Sequence, residues 1–444
     1  MFSNKDLKYM IVPLFMEQLL IMMVGLVDIF IVSFVGEAAV SGVSLVNSFN
    51  TIFILLFTAL ASGGAVVISQ YIGKQDTDTA GKASSQLLSA SALFSIVIAA
   101  IILPFNEPLM RLMFGRVEME VLESCITYLR ISAYSYPALA VYGAGTALYR
   151  SFGKTSTTMY ISIISNIINV VGNLIGVFIL DAGVAGVAWP SLIARTFSAV
   201  AITVLCFSHK NPVQYQKQWI FKWERDLLRS ILRIAIPNGV ESGIFQFVKL
   251  ALSSVVALFG TYQIAANGIA QSIWSVAALV SVTMGPIFIT VIGQSMGSGD
   301  VQSAEYYFKK LMKITLLCSV VWNGIIFAVT PILMQFYTLA DETKRLVILL
   351  VLLHNIFSAI AFPFADPLGK GLRATGDVKF TTGISLFTTI GVRLVFSILF
   401  GITLNLGVIG IAYAMCLDWL IRGIIFWIRF KRGKWKDFKV IQEL

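Results

Sequence analysis

Residues 11–35, IVPLFMEQLLIMMVGLVDIFIVSFV, form an apolar run with only two charges, Glu17 and Asp28. At about 1.5 Å per residue the run is long enough to cross a hydrocarbon core of about 30 Å. Insertion scales put a carboxylate at the centre of such a helix at roughly 2.5–3.5 kcal/mol, so Asp28 is expected to face protein or water and to do a job there. The competing reading is a structural carboxylate satisfied by a neighbouring helix.

The rest of the chain has the same character. Of 444 residues, 57% are hydrophobic and 13% charged, with a mean hydropathy of +0.84. Soluble domains carry about 25% charged residues, so this is an all-α polytopic membrane protein. The net charge of +10 does not imply nucleic acid, because Lys and Arg sit mostly in short loops between apolar runs. Cys125, Cys206, Cys318 and Cys416 lie far apart and read as buried thiols. Residues 1–8 are polar, and the following run is too long for the apolar core of a cleavable signal.

Apolar runs recur near 11–35, 45–72, 84–104, 122–149, 158–180, 187–207, 231–259, 268–292, 311–334, 346–369, 380–402 and 407–429, which predicts twelve helices. The expected organisation is an N-terminal six-helix lobe (1–208), a basic connector (209–230) and a C-terminal six-helix lobe with a basic tail (231–444). Lys5, Lys8, Lys74, Lys82, Arg150, Lys154, the connector, Lys309, Lys310, Lys370, Arg373, Lys379 and the tail share one side. The opposite loops hold only Arg111, Arg116, Lys344 and Arg345, among several acids. Both termini are therefore expected in the cytoplasm.

The halves repeat at an offset of 224. Pro13 and Glu17 map to Pro237 and Glu241, Gly36 to Gly260, and Gln70, Gly73, Asp76 and Ala80 to Gln294, Gly297, Asp300 and Ala304. Gly186-Val187-Ala188 maps to Gly410-Ile411-Ala412, and Arg150-x2-Gly153 to Arg373-x2-Gly376 with one residue dropped. Six crossings per half insert both halves in the same direction, related by a pseudo-twofold along the membrane normal.

Enzyme chemistry finds little support. Phe152-Gly153-Lys154-Thr155 resembles a P-loop ending, but Leu148 stands where its first glycine belongs, so a polar turn is the better reading. His209 and His354 are too far apart for a local zinc motif. Helix rise instead places Asp28, Asn169, Asn173, Ser191 and Arg195 in one layer, roughly 6–16 Å below the outer surface. Asn169 and Asn173 share a helix face. Their oxygens with Asp28 could hold Na⁺, or Asp28 could carry a proton. The alternative is a packing network closed by an Asp28–Arg195 pair. The second half has Leu252, Arg393 and Ser397 where the first has Asp28, Asn169 and Asn173, with Lys249 and Asp418 at similar depth. Asp366, beside Pro363 and Pro367, reads first as part of a helix break and second as a substrate ligand. Glu17 and Glu241, one turn beyond their prolines, read as framework. Met22, Met23, Tyr134, Tyr136, Tyr142 and Trp274 could line an adaptable apolar cavity.

Together, Gly25-Leu26-Val27-Asp28 with Gly36, Gln70-x2-Gly73, Arg150-x2-Gly153, Asn169-x3-Asn173, Gln294-x2-Gly297 and Arg373-x2-Gly376-Asp377 resemble the multidrug and toxic compound extrusion (MATE) family over nearly the whole chain. The resemblance implies two six-helix lobes around a V-shaped cavity with alternating access. It also implies export of amphipathic, often cationic compounds in exchange for H⁺ or Na⁺. Asp28 matches the family's acidic coupling residue, Pro13 the proline where the first helix bends, and Asn169 an asparagine of the fifth helix. Asn173 stands where many relatives carry aspartate. Glu241 and Asp366 match the C-lobe acidic sites of other branches poorly, which favours coupling at Asp28.

The expectation is a secondary multidrug antiporter of the cell membrane, monomeric, with small organic substrates and no cofactor beyond the coupling ion. Asp28, Asn169 and Asn173 are its cation-coupling candidates and its possible Na⁺ ligands. Ser191, Arg195, Lys249, Arg393 and Asp366 are the substrate or network candidates. The rival is a lipid-linked oligosaccharide flippase, for which Lys249, Arg393 and Arg195 would suit a pyrophosphate.

Overall fold

The structure, a computed structural model, describes residues 2–115 and 117–441; Arg116 and the last three residues of the basic tail lie outside them. Helices form its regular structure, and the chain divides into two compact units, Phe2–Gly239 and Val240–Leu444.

The first unit contains α1 (Asn4–Ser33), α2 (Glu37–Gly73), α3 (Thr77–Ile102), the short α4 (Asn106–Phe114), α5 (Met119–Tyr134), α6 (Tyr136–Ser151), α7 (Thr155–Leu174) and α8 (Ala185–Cys206). A π-helical segment, Ile175–Ile179, continues α7. The connector holds one turn, α9 (Lys217–Phe221), and leads into α10 (Arg225–Val256). It is not a free linker: Gln86 on α3 donates to the carbonyls of Trp219 (2.6 Å) and Lys222 (2.7 Å), and Ser89 to that of Ile220 (2.5 Å).

The second unit continues with α11 (Thr261–Ala277), α12 (Leu279–Gly297), α13 (Val301–Gln335), α14 (Asp341–Ile360), α15 (Phe362–Ala365), α16 (Pro367–Ala374), α17 (Val378–Phe387), α18 (Val395–Ile398) and α19 (Gly407–Lys431). Eleven helices among the described residues are long and apolar enough to cross a membrane. The expected fourth crossing is not one helix but α5 and α6 end to end, interrupted at Ser135. Pro137 causes the interruption, because it has no N–H for the carbonyl one turn back.

Two other expected single helices are also broken. α11 and α12 part at Ala278, where the carbonyls of Val276 and Ala277 accept instead from Trp322 Nε1 (2.8 Å) and Asn323 Nδ2 (3.3 Å) on α13. The tenth crossing breaks twice, at Ala361 and at Asp366, beside Pro363 and Pro367. Cys125, Cys206 and Cys416 are buried, but Cys318 is exposed on the outward face of α13, contrary to expectation.

The internal repeat is visible in the backbone. Gly36 (φ 140°) and Gly260 (φ 87°) precede α2 and α11, and Gly153 (φ 82°) and Gly376 (φ 107°) precede α7 and α17. Each pair occupies a left-handed turn where a side chain would be strained. Asp76 and Asp300 cap α3 and α13 by accepting from the amides of Thr79 (3.0 Å) and Ser303 (2.9 Å). The π-segment Ile175–Ile179 recurs as Leu399–Thr403, at the offset of 224.

A second π-segment, Thr388–Leu394, has no counterpart among the described residues of the first unit. A π-bulge is a helix holding one extra residue. It lies where the offset rises from 223 (Arg150 to Arg373) back to 224 (Ile175 to Leu399), so it accounts for the residue regained after the earlier drop.

Candidate functional site

α7 packs against both α1 and α8, and glycines set how closely α8 approaches. A Cβ on Gly176 would stand 2.1 Å from the carbonyl oxygen of Gly186, and one on Gly172 would stand 2.6 Å from Pro190. This close approach brings the amides of α7 within reach of α8. Asn169 Nδ2 donates to Ser191 Oγ at 2.9 Å, and Asn173 Nδ2 donates to Asp28 Oδ1 at 2.7 Å and to Asn169 Oδ1 at 3.2 Å. Four of the five side chains expected in one layer thus form a single hydrogen-bonded chain from Asp28 to Ser191.

Asp28 is half-buried, whereas Asn173 is fully buried. The Oδ1 of Asn173 is buried without a hydrogen-bond partner. A buried carbonyl-type oxygen beside a carboxylate is an unfilled acceptor, open to a proton donor or a hard cation.

Arg195 belongs to a different contact. Its Nη1 donates to Ser135 Oγ at 2.8 Å, at the break between α5 and α6, and no ion pair joins it to Asp28. The Asp28–Arg195 pair considered from the sequence is therefore not formed. Ser135, which the sequence reading passed over, was signalled by Pro137 two residues later. Tyr136, taken as a cavity candidate, is buried and donates to Asn50 at 2.6 Å.

Glu17 and Glu241 are each held in an ion pair. Glu17 is 1% exposed, pairs with Arg150 Nη2 at 2.9 Å and accepts from Thr158 Oγ1 at 2.8 Å. Glu241 pairs with Arg373 Nη2, whose Nε donates to Thr381 Oγ1 at 3.2 Å. Asp366 pairs with Lys370 at 2.8 Å within one turn and stands at the helix break.

The second unit's middle layer is built differently. Asp418 Oδ1 accepts from Arg422 Nη2 at 2.7 Å, and Arg422 also donates to Thr388 (3.0 Å) and Thr389 (2.9 Å) in the extra π-segment. Arg393, in the same segment, lies over the Phe245 ring at 4.9 Å, with its Nη1 3.9 Å from Asp418 Oδ2. Arg422 went unnoticed in the sequence, although it stands one turn from Asp418. Trp274, another cavity candidate, stacks on Trp419 with centroids 5.4 Å apart. Tyr142 lies 3.5 Å from Glu17, while Met23 and Tyr134 are exposed.

Comparison with known proteins agrees with this repeat. The MatE family pattern matches residues 13–175 and again 237–399, each boundary displaced by 224. The chain is 25% identical to "Uncharacterized transporter YisQ" of Bacillus subtilis, over 95% of this chain and 93% of the relative. It is 24% identical to "Probable multidrug resistance protein NorM" of Thermotoga maritima, over 99% and 94%. Among solved structures, a MATE crystal structure in the bent conformation superposes with a TM-score of 0.89 at 20% identity, covering 97% of this chain and 95% of that one. Two copies of one family pattern, set at the spacing of the chain's own repeat, make this a multi-pass membrane protein of the MATE transporter family rather than an enzyme.

Proposed function

We propose that the protein is a secondary active exporter of amphipathic, cationic organic compounds, driven by exchange for H⁺ or Na⁺ at Asp28. The observation that carries this reading is the Asp28–Asn173–Asn169–Ser191 chain, with one carboxylate and one unpartnered buried amide oxygen. A proton on Asp28 removes the negative charge that Asn173 Nδ2 now serves. A sodium ion instead draws the oxygens of Asp28, Asn169 and Asn173 toward itself. Either ion changes which hydrogen bonds join α1 to α7, and so biases the first unit toward one of two arrangements. An ion shifts such an equilibrium only by its difference in affinity for the two states.

The relatives' names as a transporter and a multidrug resistance protein support the export reading. The placement of basic loops supports a plasma-membrane orientation with both termini in the cytoplasm. The test is efflux of a fluorescent lipophilic cation from proteoliposomes under a pH gradient or a Na⁺ gradient, imposed separately. Wild-type protein is expected to move the dye with one of the gradients, and Asp28→Asn to lose at least about tenfold of that rate, a loss of roughly 1.4 kcal/mol in driving interaction. Equal rates for the two proteins would remove Asp28 from the mechanism. No flux under either gradient would favour the flippase reading.

A further inference from the structure

The middle of the second unit holds three cations, Lys249, Arg393 and Arg422, and one carboxylate, Asp418. Of the other carboxylates along its membrane helices, Glu241 pairs with Arg373, Asp366 with Lys370, Asp377 with Arg429 and Glu305 with Lys309, while Asp341 and Glu342 stand in the first turn of α14. Arg422 commits its Nε and Nη2 to Asp418 Oδ1 and two threonine hydroxyls.

Arg393 is in the opposite state. It is 8% exposed, makes no hydrogen bond among the described residues, and its Nη1 is buried without a partner. Asp418 Oδ2, 3.9 Å away, is beyond hydrogen-bond reach and is itself unpartnered. Lys249, one turn beyond Phe245 on α10, adds a second cation with no carboxylate in contact. His354, 1% exposed with both ring nitrogens unpartnered, supplies no negative charge. The extra residue of the Thr388–Leu394 π-segment places Arg393, Thr388 and Thr389 in this layer, a device the first unit lacks.

We propose that the second unit carries an oxyanion-binding site, with the Arg393 guanidinium and the Lys249 ammonium as donors, for a carboxylate, sulfonate or phosphate group on an amphipathic molecule. A guanidinium fork matches two oxygens of such a group, and the ammonium contributes a mobile point charge. The Phe245 ring beside Arg393 offers an apolar surface to the remainder of the molecule. The proposal rests on the export reading only for the fate of the bound compound.

The test uses the purified full-length protein in neutral detergent and two dyes that differ in one group: rhodamine 110, which has a free carboxylate, and rhodamine 123, its methyl ester. Fluorescence anisotropy is expected to show the acid bound at least about tenfold tighter than the ester, the worth of one charge-assisted hydrogen bond. Arg393→Gln and Lys249→Gln are each expected to narrow that preference several-fold, and Arg393→Lys to retain part of it. Lys249 is exposed, so Lys249→Gln decides the matter even if Arg393→Gln fails to fold. Equal binding of acid and ester by wild type, or a preference untouched by Lys249→Gln, would overturn the proposal.

Displacement of the acid by inorganic phosphate assigns the site to small oxyanions. Displacement by phosphatidylglycerol in mixed micelles but not by phosphate assigns it to a lipid headgroup. Failure to move either dye across liposomes, with the preference intact, would remove the export reading and leave this site standing. Gradient-driven flux without the preference would do the reverse.

Discussion

The two units share one polar contact and differ in another. Near the side with the basic loops, both hold a glutamate one turn beyond a proline, paired with an arginine, with a threonine on the glutamate in the first unit (Glu17, Arg150 and Thr158) and on the arginine in the second (Glu241, Arg373 and Thr381). In the middle layer the first unit has Asp28 with two amides, whereas the second has Arg393 and Lys249 around a carboxylate already held by Arg422. Each copy of the duplicated scaffold holds the same Glu–Arg pair, with Glu17 buried and Glu241 partly exposed. The site chemistry is free to diverge above it. The layer that differs is therefore where ion and substrate are to be sought, and the layer that repeats is where stability resides.

The largest expected effect follows from the shared contact. Arg150→Ala leaves Glu17 at 1% side-chain exposure without its cation, which costs about 3–5 kcal/mol for a broken buried pair. Arg373→Ala leaves Glu241 at 17% exposure, where water offsets part of that cost, so a smaller loss is expected. Thermal melts monitored by size exclusion in detergent check the order. An equal loss in both variants would mean that the two frames are equivalent.

Thr158→Val and Thr381→Val sharpen the comparison at lower energy. Thr158 Oγ1 donates to the Glu17 carboxylate at 2.8 Å, a bond to a charged group worth about 1.5–3 kcal/mol. Thr381 Oγ1 accepts from Arg373 Nε at a longer 3.2 Å, and Arg373 has other partners in Glu241 and Ser385. The same melts are expected to place Thr158→Val below Thr381→Val, and the reversed order would contradict the assigned geometry.

Much of this was legible in the sequence, because bilayer length and the offset of 224 are written in hydropathy and residue identity. The layer of Asp28, Asn169, Asn173 and Ser191 followed from counting residues to a helix end, and these four side chains do meet. Arg195 lies in the layer but turns to Ser135, because partner choice depends on helix rotation and on a break at Ser135 that counting does not resolve. The helix interruptions leave hydropathy unchanged. Pro137, Pro363 and Pro367 marked two of them, but Ala278 carries no proline, and its carbonyls are served from another helix. The extra π-segment was present in the sequence only as the one residue by which the offset returns from 223 to 224 after Arg373. What it does became visible when Thr388 and Thr389 were found hydrogen-bonded to Arg422.

The central claim is that the coupling ion binds at Asp28 in the first unit. Its most direct test is ion binding by the purified protein: radioactive Na⁺ uptake and, in parallel, proton release on adding substrate, for wild type and for Asp28→Asn. The account predicts a single ion per chain, Na⁺ or H⁺, and its loss in the variant with the fold intact. Binding of the same ion at the same stoichiometry and affinity by Asp28→Asn would contradict it.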